Sequence, residues 1–574
     1  MLMIYLLISG QVYQFPPIVV TGSRFPTSFS DFLRTVSVVT REEAENFPVT
    51  SVTDLVGLTS VQLDRRGPFD IQSDLSIRGS TFEQVIIMVD GVKINDYQTG
   101  HHIMDIPLTL FDIDRVEVLR GVGSGLYGPN GLGGVVNFIT KKERGRVAVT
   151  ASYGEHDLKE GGFSISQPIG KFHSSASILR RSSDGYRENT DFGQWFLTSK
   201  LSYKDNLNII TGYKDNDFGA YEFYSTKYPN QKEYTRTFFS SCQTNIQYRM
   251  MFLRPNFAYR YHYDDYLLDR SDPEFYHNTH NSYTYSTELP LFFYLPFAEV
   301  AVGGEYESQR LNSTALGDHQ RSRTGLFCES RVAIKNLTIN PSLRGDHYDG
   351  YGWEPIPCLS LGYKFAPFLN LHLTVGKGYR IPTFTDLYYE SPTNLGNPDL
   401  KPEYCTSYEA GARYLVGEFL CDLSLFMRTG RSLISWVSRD SGATWQAENY
   451  TEADFQGGDL TILYKGLRIG YSYLTGEKKE KGLLDAYLLD YYEHKILVAV
   501  SRDLFGFGIS PMIHYRKRPD GDGFYLCDLR ITRPVDPIDL CFDVKNIFDA
   551  EYYETGRRIL MPGRWLMCGV RLSI

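Results

Sequence analysis

Residues 71–102 read IQSDLSIRGSTFEQVIIMVDGVKINDYQTGHH, and residues 113–142 read IDRVEVLRGVGSGLYGPNGLGGVVNFITKK. Three apolar runs, Leu75–Ile77, Val85–Val89 and Val135–Ile139, have five residues or fewer and end in turn signals. Runs of this length suit buried β-strands better than helices. Glycine is dense from residue 121 to residue 134, so the backbone there must turn tightly or approach another backbone closely. The stretch predicts a small, charged β globule.

Two short helices are predicted on the N-terminal side of these strands. Thr40 followed by Glu43 is a capping-box pattern and predicts a helix at Arg41–Asn46. Ser51 followed by Asp54 is a second helix start, for a helix at Val52–Leu58. We expect both helices to pack on the strands of the globule.

The character of the chain changes from about Arg146 onward. Runs such as VAVTASY, FLTSKLSY and LRIGYSYL alternate apolar and polar residues, which gives each strand one apolar and one polar face. Short connectors such as GKF and VGEF alternate with longer polar stretches, such as 215–234 and 381–402. That asymmetry is typical of outer-membrane barrels. Such a sheet must be closed, because an open edge in lipid leaves backbone groups without hydrogen bonds.

The composition agrees with a membrane barrel. The chain has 574 residues, 42 Tyr, 35 Phe and a mean hydropathy of -0.29. No apolar run reaches the roughly 18 residues of a membrane-spanning helix. The net charge of -9 argues against a nucleic-acid partner. A soluble all-β protein is the alternative. It would be excluded if the protein can be extracted only with detergent.

The segments IRG, DGVKIN, IDRVEVLRG and LYGPNGLGGVVNFITK, with VKNIFDAEYYETGRRILMPGR downstream, resemble the plug and the last strands of TonB-dependent outer-membrane receptors. The resemblance runs from about Ile18 to the C-terminus. It implies an all-β membrane protein of the bacterial outer membrane, with an N-terminal α/β plug inside a transmembrane antiparallel barrel of about 22 strands. We expect an export-signal remnant at 1–15, for which a plain N-terminal strand is the alternative. A TonB-box segment and linker follow at 16–35, the plug at 36–143 and the barrel at 144–574.

The resemblance also implies partners and contacts for particular residues. The TonB box, which receives energy from ExbB and ExbD through TonB, would be Ile18, Val19, Val20, Thr21 and Gly22. An ordinary N-terminal strand is the alternative. The plug arginines Arg78 and Arg120 would meet Glu409 and Asp459 of the barrel wall, although pairing within the plug is the alternative. Asp459 stands where the family more often has Glu.

The expected function is active uptake of a large, scarce solute by a monomeric receptor in outer-membrane lipid. The resemblance is nearest to cobalamin receptors. A ferric siderophore or haem is the alternative, and haem would use His101, His102 or a loop histidine as its iron ligand. Candidate ligand contacts are Tyr97, Gln98, His101, His102, Tyr221 and Tyr388. The segment from Arg380 to Glu403 resembles a signature common across the family and does not fix the solute.

A metal site, an enzyme and a disulfide are further hypotheses. Calcium could bind acidic residues of two early loops, namely Asp184, Glu188, Asp191, Asp215 and Asp217. Solvated surface acids are the alternative, and no covalent cofactor is expected.

No Ser/His/Asp or paired-carboxylate constellation appears at a recognisable spacing, so an enzyme or an adhesin is a distant alternative. The eight cysteines form no CxxC pair, and Cys527 and Cys541 could face each other across a hairpin.

Overall fold

The computed structural model describes residues 21–142, 145–204, 206–440, 442–480, 483–555 and 559–574. The predicted export-signal remnant at 1–15 lies outside the described residues, as do Ile18, Val19 and Val20 of the predicted TonB box. Thr21 and Gly22 are described. Elements are numbered below in chain order.

The N-terminal globule is built on a five-stranded sheet with the order β1-β6-β7-β4-β5, beside a two-stranded β2-β3 hairpin. Its strands are β1 (Val36–Thr40), β2 (Gln62–Arg65), β3 (Ser73–Ser76), β4 (Val85–Val89), β5 (Val92–Lys93), β6 (Ile113–Arg120) and β7 (Gly134–Thr140). Its helices are α1 (Arg41–Asn46), α2 (Val52–Gly57) and α3 (Ser124–Tyr127), with 3-10 turns at Phe29–Asp31, Phe82–Gln84 and Gly100–His102.

The predicted helices are confirmed. α1 begins with the expected capping box, in which the Thr40 side chain accepts from the Glu43 backbone N–H and the Glu43 carboxylate accepts from the Thr40 N–H. α2 ends at Gly57, one residue earlier than predicted. β4 has the predicted bounds, because five consecutive apolar residues are buried there on both faces.

Twenty-two long antiparallel strands form a closed barrel, as predicted. Pairing of the last strand with the first, from Met567 opposite Gly154 to Ser573 opposite Ala148, seals it. The long strands are β8 (Arg146–Gly154), β9 (Leu158–Ile169), β10 (Phe172–Ser183), β11 (Phe192–Tyr203), β12 (Leu207–Gly219), β13 (Lys232–Thr244), β16 (Asn256–Leu267), β17 (His277–Tyr294), β18 (Ala298–Ser313), β19 (Gly317–Ile334), β20 (Leu337–Tyr348), β21 (Gly352–Ala366), β22 (Leu369–Arg380), β24 (Glu403–Val416), β25 (Phe419–Ser438), β26 (Trp445–Tyr464), β27 (Leu467–Lys478), β29 (His494–Val500), β31 (Phe507–Lys517), β32 (Phe524–Val535), β33 (Ile538–Lys545) and β34 (Trp565–Ser573). Five short strands flank them: β14 (Ile246–Tyr248), β15 (Met251–Leu253), β23 (Asn394–Leu395), β28 (Leu484–Asp485) and β30 (Arg502–Leu504).

The two ends of the barrel differ in the length of their connections. One end, called the short-turn end, has tight turns such as 170–171, 335–336 and 417–418. The opposite end, called the long-loop end, carries 220–231, 381–402, 479–493 and 546–564. Helix α4 (Phe384–Tyr388) lies in the second of these loops. This is the asymmetry that the sequence predicted.

The outer face of the wall is apolar. Leucines such as Leu197, Leu371, Leu373 and Leu425 are exposed, while the alternate residues on the same strands face the lumen. Among the described residues, no helix is long and apolar enough to cross a membrane. An exposed apolar band around a closed sheet is what a membrane-spanning barrel requires.

The globule fills the lumen and is called the plug below. One apolar cluster joins its buried residues Val56 and Ile87 to the inward-facing wall residues Ile210, Phe239 and Leu497. A second cluster joins Phe32 and other plug residues to Leu420 and Leu463 of the wall. The predicted stoppered barrel is therefore confirmed.

The predicted contact between Cys527 and Cys541 is wrong. The hairpin of β32 and β33 places Val535 opposite Ile538, and this register puts Cys541 opposite Thr532. Cys527 lies opposite Ile513 on the other neighbouring strand. All eight cysteines are free thiols.

Candidate functional site

Arg78 anchors the plug to the barrel wall. Its Nε lies 3.0 Å from Oδ2 of Asp459 and its Nη1 lies 2.5 Å from Oε2 of Glu409. Although burial alone would lower the pKa of Arg78, the two carboxylates raise it above its usual value. The structure thus brings Arg78 together with both predicted acids. Arg120 approaches Asp459 only to 3.7 Å and donates to the Ser37 hydroxyl.

Further ion pairs cross the same interface all around the lumen. They join Arg24 to Glu288, Glu43 to Arg468, Asp64 to Arg518, Asp90 to Lys200, Lys93 to Glu305, Asp96 to Arg260 and Asp105 to Lys214. Most of these side chains are buried. Removing one member of such a pair leaves an uncompensated charge, so the pairs fix the position of the plug.

The signature segment from Arg380 to Glu403 closes over the plug at the long-loop end. The Arg380 guanidinium contacts Glu403 at 2.7 Å and Asp386 at 3.0 Å. The plug takes part, because the Gln84 amide donates to Glu403 at 2.8 Å. The segment therefore links two barrel strands to the plug.

Two predicted ligand contacts, Tyr97 and Gln98, lie beneath this segment. Their backbone carbonyls accept from the N–H groups of Phe384 and Thr385, at 3.0 and 2.9 Å. Both side chains are buried. A solute would reach them only after the segment has moved.

His101 lies in a half-buried aromatic cluster at the long-loop end. Its ring is 4.4 Å from that of Phe82, 6.0 Å from Tyr487 and 6.2 Å from Tyr224. Phe82, His101, Tyr224 and Tyr487 are called the mouth cluster below. Burial lowers the pKa of His101, although Asp74, 2.9 Å from Nδ1, acts in the opposite direction. The imidazole is therefore neutral near pH 7.

His102 points away from the mouth cluster and is buried against the wall. Its Nε2 lies 3.4 Å from Asp264 and 3.5 Å from Glu233, and its Nδ1 lies 3.7 Å from Asp105. Burial opposes its charged form, but these carboxylates raise the pKa of His102 to about 10. The two adjacent histidines thus have different surroundings, and His102 has no direct route to a solute at the mouth.

The remaining two candidate ligand contacts sit at other parts of the rim. Tyr388 stacks on His319 with 3.6 Å between ring centroids, and it shares an apolar cluster with Tyr487. Tyr221 lies under the Arg187 guanidinium at 4.2 Å. Sequence reasoning missed Tyr224 and Tyr487, because a single tyrosine in a polar loop carries no pattern of its own. Phe82 could have been found from its position next to a predicted strand.

The five acidic residues suggested for calcium do not converge. Asp215 and Asp217 belong to β12, not to a loop, and point outward, where Asp215 accepts from Tyr234 and Asp217 pairs with Lys232. Asp191 is held by Arg270 at 2.6 Å, and Asp184 and Glu188 are exposed. Within the described ranges, both groups of side chains close enough to share a metal ion contain His102, and neither contains these acids.

A cavity with mixed polar and apolar lining runs between the plug and the wall, around strands β32 to β34 and β8 to β12. Its water-accessible space is about 170 Å³, and Ser164, Ser166, Thr198, Lys200 and plug residue Asp112 are among its lining residues. The plug otherwise fills the lumen, where it packs on the wall through the two apolar clusters described above. A large solute can pass only when the plug moves.

Known proteins of the same architecture were found by sequence and by structure. The vitamin B12 transporter BtuB of Vibrio vulnificus (strain YJ016) is 24% identical over 570 residues, covering 93% of this chain and 91% of that protein. The vitamin B12 transporter BtuB of Photobacterium profundum is 26% identical over 81% of this chain and 79% of that protein. The siderophore receptor PiuA from Acinetobacter baumannii superposes with a TM-score of 0.78 at 13% identity, covering 99% and 100% of the two chains.

A second solved structure, the siderophore receptor PirA from Pseudomonas aeruginosa, has a TM-score of 0.75 at 17% identity, over 94% of this chain and 99% of that one. These structural likenesses concern the fold. The family model of the TonB-dependent receptor plug domain matches residues 29–135. The TonB-dependent receptor-like β-barrel model matches residues 149–557, more than half of the chain. The chain therefore belongs to the TonB-dependent receptor family of the outer membrane.

Proposed function

We propose that this receptor takes up cobalamin. TonB-dependent transport across the outer membrane follows from the family. The choice of cobalamin rests on the charge and the aromatic side chains of the long-loop end, which in this family faces the outside of the cell.

The observation that carries the proposal is the state of the cationic side chains around the mouth cluster. Arg66 is paired with Asp74 at 3.0 Å, Arg380 with Glu403, and Arg518 with Asp490. In addition, none of the connections at the long-loop end has a net positive formal charge. Ferric siderophore complexes are commonly anionic and need cationic or other strong hydrogen-bond donors. A corrinoid bears neutral amide groups and a large apolar surface, which aromatic side chains match.

The relatives found by sequence support the same solute, because they are vitamin B12 transporters that match most of the chain. Their identity is low, and the siderophore receptors share the fold as well. The main reason for choosing cobalamin over a ferric siderophore is therefore the pairing of Arg66, Arg380 and Arg518 with carboxylates, and the relatives are secondary support.

We assign the TonB-binding role to Ile18–Gly22, where the described part of the segment is attached to the plug. The Thr21 hydroxyl donates to Glu117 at 2.5 Å, and its carbonyl accepts from the Tyr127 hydroxyl at 3.1 Å. The backbone carbonyl of Tyr127 also accepts a hydrogen bond from the Lys93 ammonium. Binding at the mouth and release of Thr21 would then be two coupled events of one equilibrium.

A second solute, haem, is favoured by one observation. His101 is neutral near pH 7 because of its lowered pKa, and its Nδ1 is oriented by Asp74. A neutral imidazole oriented in this way is a good axial ligand for iron. In this alternative His101, and not the aromatic rings, would dominate the affinity.

Binding of purified receptor to cyanocobalamin, haem and a ferric siderophore, each with and without Ca²⁺, separates these proposals. We expect saturable binding of cyanocobalamin with a Kd well below those of the other two. The calcium arm tests whether solute binding depends on Ca²⁺ at all, since the five acidic residues do not form one site in this structure. The cobalamin assignment would be overturned if the ferric siderophore bound more tightly than cyanocobalamin. It would also be overturned if haem bound more tightly and His101→Ala abolished that binding.

A further inference from the structure

A buried group of metal-ligating side chains joins the plug to the wall beneath the mouth cluster. The plug contributes His102 and Asp105. Strands β13 and β16 contribute Glu233, His262 and Asp264. His262 is 0% exposed, Glu233 1% and His102 3%. These residues are buried beneath the surface that was assigned to the solute, and Tyr224 of the mouth cluster contacts Glu233.

Their geometry is close to that of a metal site. The ligand atoms of His102, Glu233 and Asp264 all lie within 4.8 Å of one another. His102 Nε2 is 3.4 Å from Oδ2 of Asp264 and 3.5 Å from Oε1 of Glu233. One nitrogen and two carboxylate oxygens around one point form a suitable donor set for a divalent ion.

Glu233 and Asp264 differ from the neighbouring acids, because neither has a Lys or Arg as its ion-pair partner among the described residues. Asp105 is paired with Lys214 at 2.7 Å, and Asp96 is paired with Arg260 at 2.5 Å. Glu233 and Asp264, by contrast, have His102 as their ion-pair partner among the residues that the structure describes. Two buried carboxylates facing one imidazole are costly in a dry interface. A divalent cation would neutralise both.

Unpartnered polar atoms provide a second and independent observation. Oδ1 of Asp264 and Nε2 of His262 are buried and have no hydrogen-bond partner among the described residues. A buried polar atom without a partner is uncommon in a folded protein and calls for an explanation, such as a bound ion. Asp264 belongs to the group of His102 and Glu233, so its atom bears on that group, whereas His262 belongs to the alternative group with His102 and Asp105.

We propose that His102, Glu233 and Asp264 bind a divalent transition-metal ion of the zinc class, which links the plug to strands β13 and β16. The surrounding groups suit this role. His102 Nδ1 faces Asp105, the Gln98 amide donates to Asp264 at 3.1 Å, and the Tyr224 hydroxyl donates to Glu233 at 3.1 Å. Ligands oriented by such outer hydrogen bonds are typical of protein metal sites. The proposal is independent of which solute the receptor transports.

The test uses the full chain in detergent, stripped with a chelator and then refolded with or without Zn²⁺ or Co²⁺. We expect one metal ion per chain by mass spectrometry, and visible Co²⁺ absorption bands that Zn²⁺ abolishes. The double variant Glu233→Gln/Asp264→Asn keeps the side-chain shapes and should weaken binding at least about tenfold. His102→Ala should do the same.

Two controls define the ligand set. His277→Ala removes an exposed histidine of β17, paired with Asp265, and should leave binding unchanged. His262→Ala should retain the ion; loss of binding in this variant would overturn the assignment of Glu233 and Asp264 in favour of the group of His102, Asp105 and His262. Absence of Co²⁺ bands in the refolded chain, or unchanged affinity in the double variant, would overturn the metal site itself.

Discussion

The Nε atom of Arg78 lies 3.0 Å from Oδ2 of Asp459, which joins a turn of the plug to strand β26 of the wall. The same guanidinium contacts Glu409 on β24 and lies 4.2 Å from the ring of Phe426 on β25. One plug residue therefore holds three consecutive strands. Arg78 itself has a φ of 53°, a conformation that non-glycine residues seldom adopt. Its contacts with the wall stabilise that backbone.

Replacing Arg78 by Ala should loosen the plug. Two buried carboxylates lose their partner, and breaking a buried pair in this way costs about 3–5 kcal/mol. We expect the plug of Arg78→Ala to become sensitive to protease at a lower urea concentration than the plug of the wild type, while the barrel stays folded. The measurement is limited proteolysis across a urea series, with the fragments identified by mass spectrometry.

The matched control is Arg439→Ala, which breaks an exposed pair with Glu448 at the long-loop end. Exposed pairs contribute up to about 1 kcal/mol, so this variant should behave as the wild type. Adding Glu409→Gln and Asp459→Asn to Arg78→Ala should recover part of the loss, because the uncompensated charges are gone. Equal protease sensitivity of Arg78→Ala and Arg439→Ala would contradict the anchoring role.

Deletion of residues 18–22 should separate binding from transport. The segment precedes the plug in the sequence, and the proposed solute contacts are other residues, so solute affinity should be unchanged. Uptake should be lost, because energy reaches the receptor through this segment alone in the proposed mechanism. Binding is measured on purified protein and uptake on cells that express the variant.

Tyr525→Ala is the control, since it removes an exposed ring from the barrel surface and leaves the proposed TonB-binding residues in place. It should retain both activities when it is inserted at wild-type levels. Normal uptake by the 18–22 deletant would refute the role of the segment.

The sequence was most informative where one physical requirement dominated. Val85–Val89 was predicted with its bounds because a strand buried on both faces has five apolar residues in succession. The barrel was predicted because period-two alternation repeats through β8–β34. Asp215 and Asp217 were placed in a loop instead. The run Lys214–Asp217 of β12 is polar at every position, so the alternation that marks a strand is not visible in it.

The candidate site was less accessible to sequence reasoning than the fold. His101 and His102 are neighbours with the same chemistry, yet the 3-10 turn Gly100–His102 directs one ring to Phe82 and the other to Asp264. Besides Asp105, the acids that meet His102 are Glu233 and Asp264, which lie on strands more than a hundred residues downstream. Only the closed barrel brings them beside the plug, so no local spacing could have indicated the cluster.

The mouth cluster should carry a large share of the solute affinity. Tyr487→Ala removes an aromatic ring that packs against both Phe82 and His101. We expect the Kd for cyanocobalamin to rise about tenfold, which corresponds to about 1.4 kcal/mol. Tyr525→Ala, which removes an exposed ring from the barrel surface, is the control and should leave the Kd unchanged. Equal affinity of the two variants would place the solute elsewhere on the rim.

The plug should also respond to pH through Glu83, which follows Phe82 at the long-loop end. Burial raises the pKa of Glu83 to about 7, and the carboxylates of Asp386 and Glu403 act in the same direction against Arg380. An ordinary glutamate has a pKa of 4.5. Between these two values the unfolded plug has released the proton that the folded plug still holds.

Because the folded state binds more protons in that interval, the free energy of unfolding should fall as the pH rises from about 4.5 to about 7 and then level off. Glu83→Gln keeps the shape of the side chain and cannot ionise, so the difference between wild type and variant isolates this contribution. Protease resistance of the plug, measured from pH 4.5 to pH 8, should fall more steeply in the wild type than in the variant. Parallel profiles would show that Glu83 is ionised throughout the range and that its pKa is not raised by its surroundings.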